Sequence, residues 1–203
     1  MRIGRKTRAA RAYQYARLGE MRLPAAFLDF PENSTNQPCF LTWRLAGSLP
    51  VQRIAESWTT EGARFLAFDK VLDARATGPQ WLTRAGIARA VIGALYAGQQ
   101  KGFYELGSWV VMPNHVHALI CPVSDLSKIV SGIKVTSAKE ANRLLNRTGA
   151  FWSRDYFDRC ARNSAEERRI MSYIENNPVK AGLCRHASAW LYSSASGATD
   201  RGW

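Results

Sequence analysis

The chain has 203 residues, 46% of them hydrophobic, enough to bury one sizeable core and too few for a second full domain beside it. Its 28 Lys and Arg against 16 Asp and Glu leave a formal charge of +12, which favours a polyanionic partner and nucleic acid above all. No apolar run approaches the ~18 residues of a spanning helix, and Met1-Arg-Ile-Gly-Arg-Lys-Thr-Arg8 has no apolar block after it, so no membrane partner and no signal peptide are expected.

Residues 1–22 carry Arg2, Arg5, Lys6, Arg8, Arg11, Arg17 and Arg22 against Glu20, either as a basic arm on nucleic acid or as a solvated tail. Residues 24–38, with three prolines, read as a connector to a single domain over 39–195, and 196–203 as a tail. Cys39 to Leu45 is the first predicted strand, ending at Gly47-Ser48. Residues 48–81 read as an insertion packed on the core, with helical character between Val51 and Lys70 and no assigned role. Ile87, Val91, Ile92, Leu95 and Tyr96 give Leu82 to Gln100 the period of an amphipathic helix.

Leu106–Val111 and His115–Pro122 form a predicted hairpin turning at Met112-Pro-Asn114, and Leu126–Leu145 a helix stopped by Thr148-Gly149. Phe151–Ala161 is the fourth strand and Ala165–Asn176 the last helix. The order is that of an α+β, ferredoxin-like βαββαβ antiparallel sheet with helices on one face, followed by a C-terminal helix. The four cysteines are widely spaced and lack a CxxC pair, so they read as reduced and structural.

Chemistry concentrates in two places. His115 and His117 lie one residue apart on a strand, so both imidazoles face the same way while Val116 faces the opposite layer. Two neutral imidazoles on one face are an incomplete metal site. Cys121 is assigned to the other face and is not counted as a ligand. Tyr173 and Asn177 sit four residues apart, one turn of helix, and Pro178 places Asn177 at the helix end.

These motifs are ordered along the chain: Met112-Pro-Asn-His-Val-His117, Phe151-Trp152, Asp155-Tyr-Phe-Asp158, and Tyr173-Ile-Glu-Asn-Asn-Pro-Val-Lys-Ala-Gly182. In them the chain resembles the REP-associated tyrosine transposases, a branch of the single-tyrosine HUH transposases, from Pro38 to Leu183. The resemblance implies a metal site of His115, His117 and Asn177, the last replaced by glutamine in some relatives, with Tyr173 as nucleophile. By ligand type imidazoles suit zinc or another transition metal and an amide oxygen tolerates harder ions. The resemblance implies Mg²⁺ or Mn²⁺.

It further implies a cytoplasmic, nucleoid-associated DNA-nicking and strand-transfer enzyme, monomer or homodimer, acting on single-stranded or hairpin DNA of repetitive extragenic palindromes. Its reaction is attack by tyrosine on a phosphodiester to give a 5′-phosphotyrosine and a free 3′-hydroxyl. Lys134, Lys139, Arg154, Arg159, Arg162 and Lys180 are candidate phosphate contacts, with Arg143 and Arg147 on the same helix as Lys134. Trp152 is a candidate base-stacking platform. Tyr156 is a competing nucleophile, read instead as a packed or DNA-facing aromatic. The other readings are a non-catalytic ferredoxin-like nucleic-acid-binding module and a zinc hydrolase. The binding-module reading lacks the aromatic strand motifs of RNA modules, and the hydrolase lacks HExxH.

Overall fold

The computed structural model describes residues 37–49, 61–74 and 78–197. The basic arm of 1–22, the connector up to 36, the stretch 51–60 and the last six residues lie outside them. In chain order the elements are β1 (Cys39–Arg44), α1 (Glu61–Ala74), α2 (Ala85–Gln100), β2 (Tyr104–Val111), β3 (His115–Pro122), α3 (Leu126–Leu144), β4 (Phe157–Cys160) and α4 (Ser164–Lys180). The strands form one antiparallel sheet in the order β2-β3-β1-β4. Non-sequential neighbours of this kind are the ferredoxin-like arrangement read from the sequence.

Alternation along the strands sorts side chains to two faces. Leu41, Trp43, Val116, Ala118 and Ile120 pack under Ile87, Val91, Ile92 and Leu95 of α2 and Ile129, Val130 and Ile133 of α3. On the opposite face Phe40, Val110, Leu119 and Cys121 cluster with Ile174 of α4. The sheet therefore has one face devoted to the core and one face partly given to polar groups.

Several boundaries differ from the sequence reading. β4 is four residues long, and upstream of it only an isolated bridge pairs Trp152 with Leu45, because Asp155 and Arg154 are exposed and have no ladder to join. α3 stops at Leu144, and Asn146 takes the left-handed conformation (φ 49°) three residues before Gly149. α4 does not end before Pro178. It runs to Lys180 with Pro178 and Asn177 both buried inside it. Pro178 gives up one helical hydrogen bond, and the C-terminus is closed by Gly182 (φ 67°), with Gly182 N donating to Val179 O and Leu183 N to Pro178 O.

Beyond α4 the chain returns along β2, where Val111 N donates to Tyr192 O and Trp190 Nε1 to Val111 O. This segment covers backbone groups on the free edge of the sheet. None of the described helices is long and apolar enough to cross a membrane.

The cysteine reading is corrected. Cys39 and Cys160 are register partners on β1 and β4 and form a disulfide across 121 residues of chain. Cys121 and Cys184 are outside the disulfide. A crosslink over so long a loop stabilises by about 2–4 kcal/mol. Reduction, or Cys39→Ser, is expected to lower the Tm by roughly 4–16 °C, measured by thermal unfolding with and without reductant. An unchanged Tm would show that β4 is held without the crosslink.

Glu167, on the first turns of α4, is 1% exposed, and its carboxylate has no hydrogen-bond donor among the described residues. Burial pushes its carboxyl up to about 7, against a smaller opposing effect of Arg168. The folded state therefore disfavours the carboxylate. The cost is absent below the ordinary glutamate value, grows as pH rises towards 7, and is complete above it. Glu167→Gln is expected to stabilise the protein at pH 8 by about 1–2 kcal/mol after solvent screening, and not at pH 4. Melting curves at the two pH values check this, and equal gains at both would remove the titration as their cause.

Candidate active site

His115 and His117 project from β3 towards the α4 face, and both are fully buried. Each ring is held by its Nδ1. Asn114 Nδ2 donates to Leu72 O at 3.0 Å, which turns Asn114 Oδ1 towards His115 Nδ1 at 2.7 Å. An amide oxygen only accepts, so His115 carries its proton on Nδ1 and a lone pair on Nε2. Thr42, the register partner of His117 on β1, sits 2.7 Å from His117 Nδ1. Phe40 stacks on the His117 ring with centroids 5.5 Å apart.

The two Nε2 atoms face each other at 3.1 Å. Burial, and then the neighbouring His117, push His115 down to about 3, so it is neutral around pH 7. A neutral imidazole anchored through Nδ1, with Nε2 turned inward, is in the form that ligates metals.

The third group comes from the insertion. Asp69 on α1 places Oδ1 3.1 Å from His117 Nε2 and 3.6 Å from His115 Nε2. Asp73, one turn later, has Oδ1 3.9 Å from His115 Nε2. Burial raises the Asp69 carboxyl, but the two imidazoles and the Tyr173 hydroxyl outweigh it and hold the group well below the usual carboxylate range. Among the described residues Asp69, His115 and His117 are the cluster able to hold a metal ion, with ligand atoms within 4.8 Å of one another. The buried Asn177 Oδ1 has no hydrogen-bond donor among the described residues.

α4 completes the arrangement. Tyr173 donates its hydroxyl hydrogen bond to Asp69 Oδ2, and Asn177 Nδ2 donates to the same oxygen at 3.3 Å. The i, i+4 spacing does put both side chains on one face, and that face meets α1 and β3. The Tyr173 ring lies edge-on to His117 at 5.8 Å and to Phe40 at 6.0 Å. Burial first, and then the negative charge of Asp69, raise the Tyr173 phenol above its ordinary value. In this state Tyr173 is a protonated phenol locked to a carboxylate.

The donor set fits a divalent cation: two imidazole nitrogens and one carboxylate oxygen that approach one another closely.

Other sequence-designated residues lie elsewhere. Tyr156 packs against the cluster under α2 and α3, across the sheet from the histidines. Trp152 is 7% exposed, donates Nε1 to Ser137 Oγ at 3.0 Å and packs edge-on against Trp43, so it is a core residue and offers no ring face to a base. Arg159 and Arg162 both pair with Glu166, and Lys134 donates to Arg154 O at 2.9 Å. Lys139 and Arg154 are exposed. Lys180 Nζ lies 4.1 Å over the Tyr173 ring. Cys121 shares the histidine face, since its separations of four and six residues are even, but it is packed with Leu119 and Val110 away from the ligand cluster.

Asp69, Asp73, Asn114 and Thr42 were missed. Their only signals were two aspartates four apart in a helical stretch, a turn asparagine beside His115, and the cross-strand position of Thr42.

Residues 81–177 match the family model described as Transposase IS200 like. Over that stretch, just under half of its length, the chain is similar to the IS200-like transposases. The matched stretch holds His115, His117, Tyr173 and Asn177, and it begins after Asp69. Over 94 residues, 45% of this chain, it is 31% identical to the REP-associated tyrosine transposase of Escherichia coli (strain K12), so the resemblance read from the motifs is borne out. The match spans about half of that relative, 54% of its length. A solved REP-associated tyrosine transposase bound to a REP hairpin aligns over 86% of each chain, at 20% identity and a TM-score of 0.49. A candidate transposase from Deinococcus radiodurans aligns over 73% of this chain and 96% of its own, at 17% identity and a TM-score of 0.41.

Proposed function

We propose that this chain is a metal-dependent single-stranded DNA endonuclease and strand transferase that acts beside hairpins of repetitive palindromic DNA. The observation that carries the reading is the shared carboxylate: Asp69 faces both His Nε2 atoms through one oxygen and receives Tyr173 and Asn177 on the other. A nucleophile and a candidate cation site are thereby held together by one side chain.

In the proposed reaction Tyr173 Oη forms a bond to phosphorus and the P–O3′ bond breaks. The 5′ segment of the cut leaves with a free 3′-hydroxyl, while the 3′ segment stays on the enzyme as a 5′-phosphotyrosine. The bond energy is kept in the adduct, so a second 3′-hydroxyl rejoins the strand without ATP. A phenolate at pH 7 costs about 4 kcal/mol from an ordinary tyrosine, and the burial of Tyr173 beside Asp69 adds to that. A bound Mg²⁺ or Mn²⁺ supplies charge stabilisation of several kcal/mol at the phosphate. His115, His117, Asp69 and Asn177 would hold it. Asp69 also orients the phenol, and Phe40 and the His117 ring fix the plane of Tyr173.

A substrate of repetitive palindromic DNA is supported by the similar curated protein described as a REP-associated tyrosine transposase. The test incubates labelled single-stranded DNA containing a palindrome from beside the chain's own gene with Mn²⁺ or Mg²⁺, then runs a denaturing gel. A covalent protein–DNA band lost on chelation supports the reading. Tight binding without an adduct over several such hairpins would favour a non-catalytic binding module.

A further inference from the structure

Beside its contact with the sheet, α4 carries a stripe at helical spacing that Tyr173 borders: Arg169, Ser172, Tyr173, Asn176 and Lys180, with Arg168 beside its start. These residues line a groove of about 700 Å³. From Arg169 to Lys180 the stripe runs roughly 16 Å along the helix. Tyr173 lies at its middle, its ring open to the groove and its hydroxyl turned in to Asp69.

Some cations elsewhere among the described residues are neutralised by carboxylates. Arg159 and Arg162 are occupied by Glu166, and Arg143 by Glu140. Arg168, Arg169 and Lys180 are exposed and form no ion pair among the described residues. Ser172 and Asn176 add neutral hydrogen-bonding groups between the cationic ends. Two exposed guanidinium groups at one end and an ammonium over the phenol ring at the other bracket the nucleophile along one line. Guanidinium groups match phosphate oxygens in bidentate geometry.

We propose that this groove is the track for the phosphodiester backbone of a single DNA strand on either side of the scissile phosphate, with Arg168 and Arg169 gripping one flank and Lys180 the other. The inference rests on the transposase reading and adds a substrate path to it. A single strand fits and a duplex does not, because the reacting phosphate must turn in towards a hydroxyl directed at buried groups. The hairpin itself would then lie elsewhere on the protein.

The test is the salt dependence of binding of a short fluorescein-labelled oligothymidylate to the full chain, read by fluorescence anisotropy, with the adduct assay run in parallel. Each phosphate neutralised on a single strand contributes about 0.7 to the slope of log K against log salt. Arg168→Ala/Arg169→Ala is expected to lower that slope by about 1.4 and weaken binding roughly tenfold at 0.15 M salt. Arg168→Lys/Arg169→Lys should keep most of the slope. Arg84→Ala/Arg89→Ala, on the α2 side, should leave it unchanged, and matched duplex should compete poorly. An unaltered slope in a folded Arg168→Ala/Arg169→Ala protein that still forms adduct overturns the groove alone. Absence of both single-strand binding and adduct in the wild type overturns the transposase reading with it.

Discussion

Tyr173→Phe is expected to abolish the covalent protein–DNA band, with a loss of ~10³-fold or more, as when a nucleophile is removed from other enzymes. The ring keeps its packing against Phe40 and His117, so the fold should survive. What is lost is one oxygen and its hydrogen bond to Asp69. Tyr156→Phe should form adduct at the wild-type level, because Tyr156 belongs to the cluster on the far side of the sheet. The check is the denaturing gel with both variants beside wild type, with circular dichroism to show that each is folded. Adduct surviving Tyr173→Phe and lost in Tyr156→Phe would reverse the assignment.

The second large effect concerns Asp69. Mn²⁺ at a hundred times its Kd should stabilise the wild-type protein by about 2.7 kcal/mol, since binding to the folded state alone shifts unfolding. In thermal unfolding that is a rise of roughly 5–11 °C. Asp69→Asn keeps the volume but removes the charge between the two imidazoles, and should weaken Mn²⁺ by about 100-fold or more, beyond what loss of an outer hydrogen bond costs. The stabilisation at the same Mn²⁺ concentration should then nearly vanish, as it should in His117→Ala. Asp73→Asn should do less, because its carboxylate stands farther from the imidazoles, 3.9 Å from His115 Nε2. Calorimetric titration with Mn²⁺ measures the affinities directly. Wild-type affinity in Asp69→Asn would leave His115, His117 and Asn177 as the ligands and reduce Asp69 to a support for Tyr173. A site that takes Zn²⁺ and ignores Mn²⁺ would overturn the choice of a hard cation.

The insertion is where sequence reasoning fell short. Residues 48–81 have no motif of their own, and the matched family stretch begins at Trp81. A helix whose only distinguishing marks are Asp69 and Asp73 at i, i+4 looks like any solvated helix. Its role depends on where it docks, which is decided by contacts far along the chain: Asn114 to Leu72 across 42 residues, and Tyr173 to Asp69 across 104. Such separations leave no local periodicity to read.

The cysteines and the basic residues show the same limit. Spacing gave no reason to pair Cys39 with Cys160, because their proximity follows from β4 lying beside β1 in the sheet. Reading Arg159 and Arg162 as phosphate contacts around the fourth strand likewise did not show that Glu166 neutralises both. Pro178 misled in a different way. The local bias against a helical residue before proline is real, but burial of Pro178 and Ile174 and the closing Gly182 turn outweighed it.

Sequence by itself determined what repeats at short range. Period-two alternation placed His115 and His117 on one face with Val116 on the other, the 3.6-residue period put Tyr173 and Asn177 on one turn, and the order of strands and helices gave the ferredoxin-like sheet. Tertiary structure alone decided which long-range partners meet: that α1 carries a carboxylate to the imidazoles, that the same carboxylate receives Tyr173, and that Tyr156 and Trp152 lie across the sheet. Short-range pattern is set by backbone geometry, whereas the meeting of distant charges is set by packing the whole chain around one core.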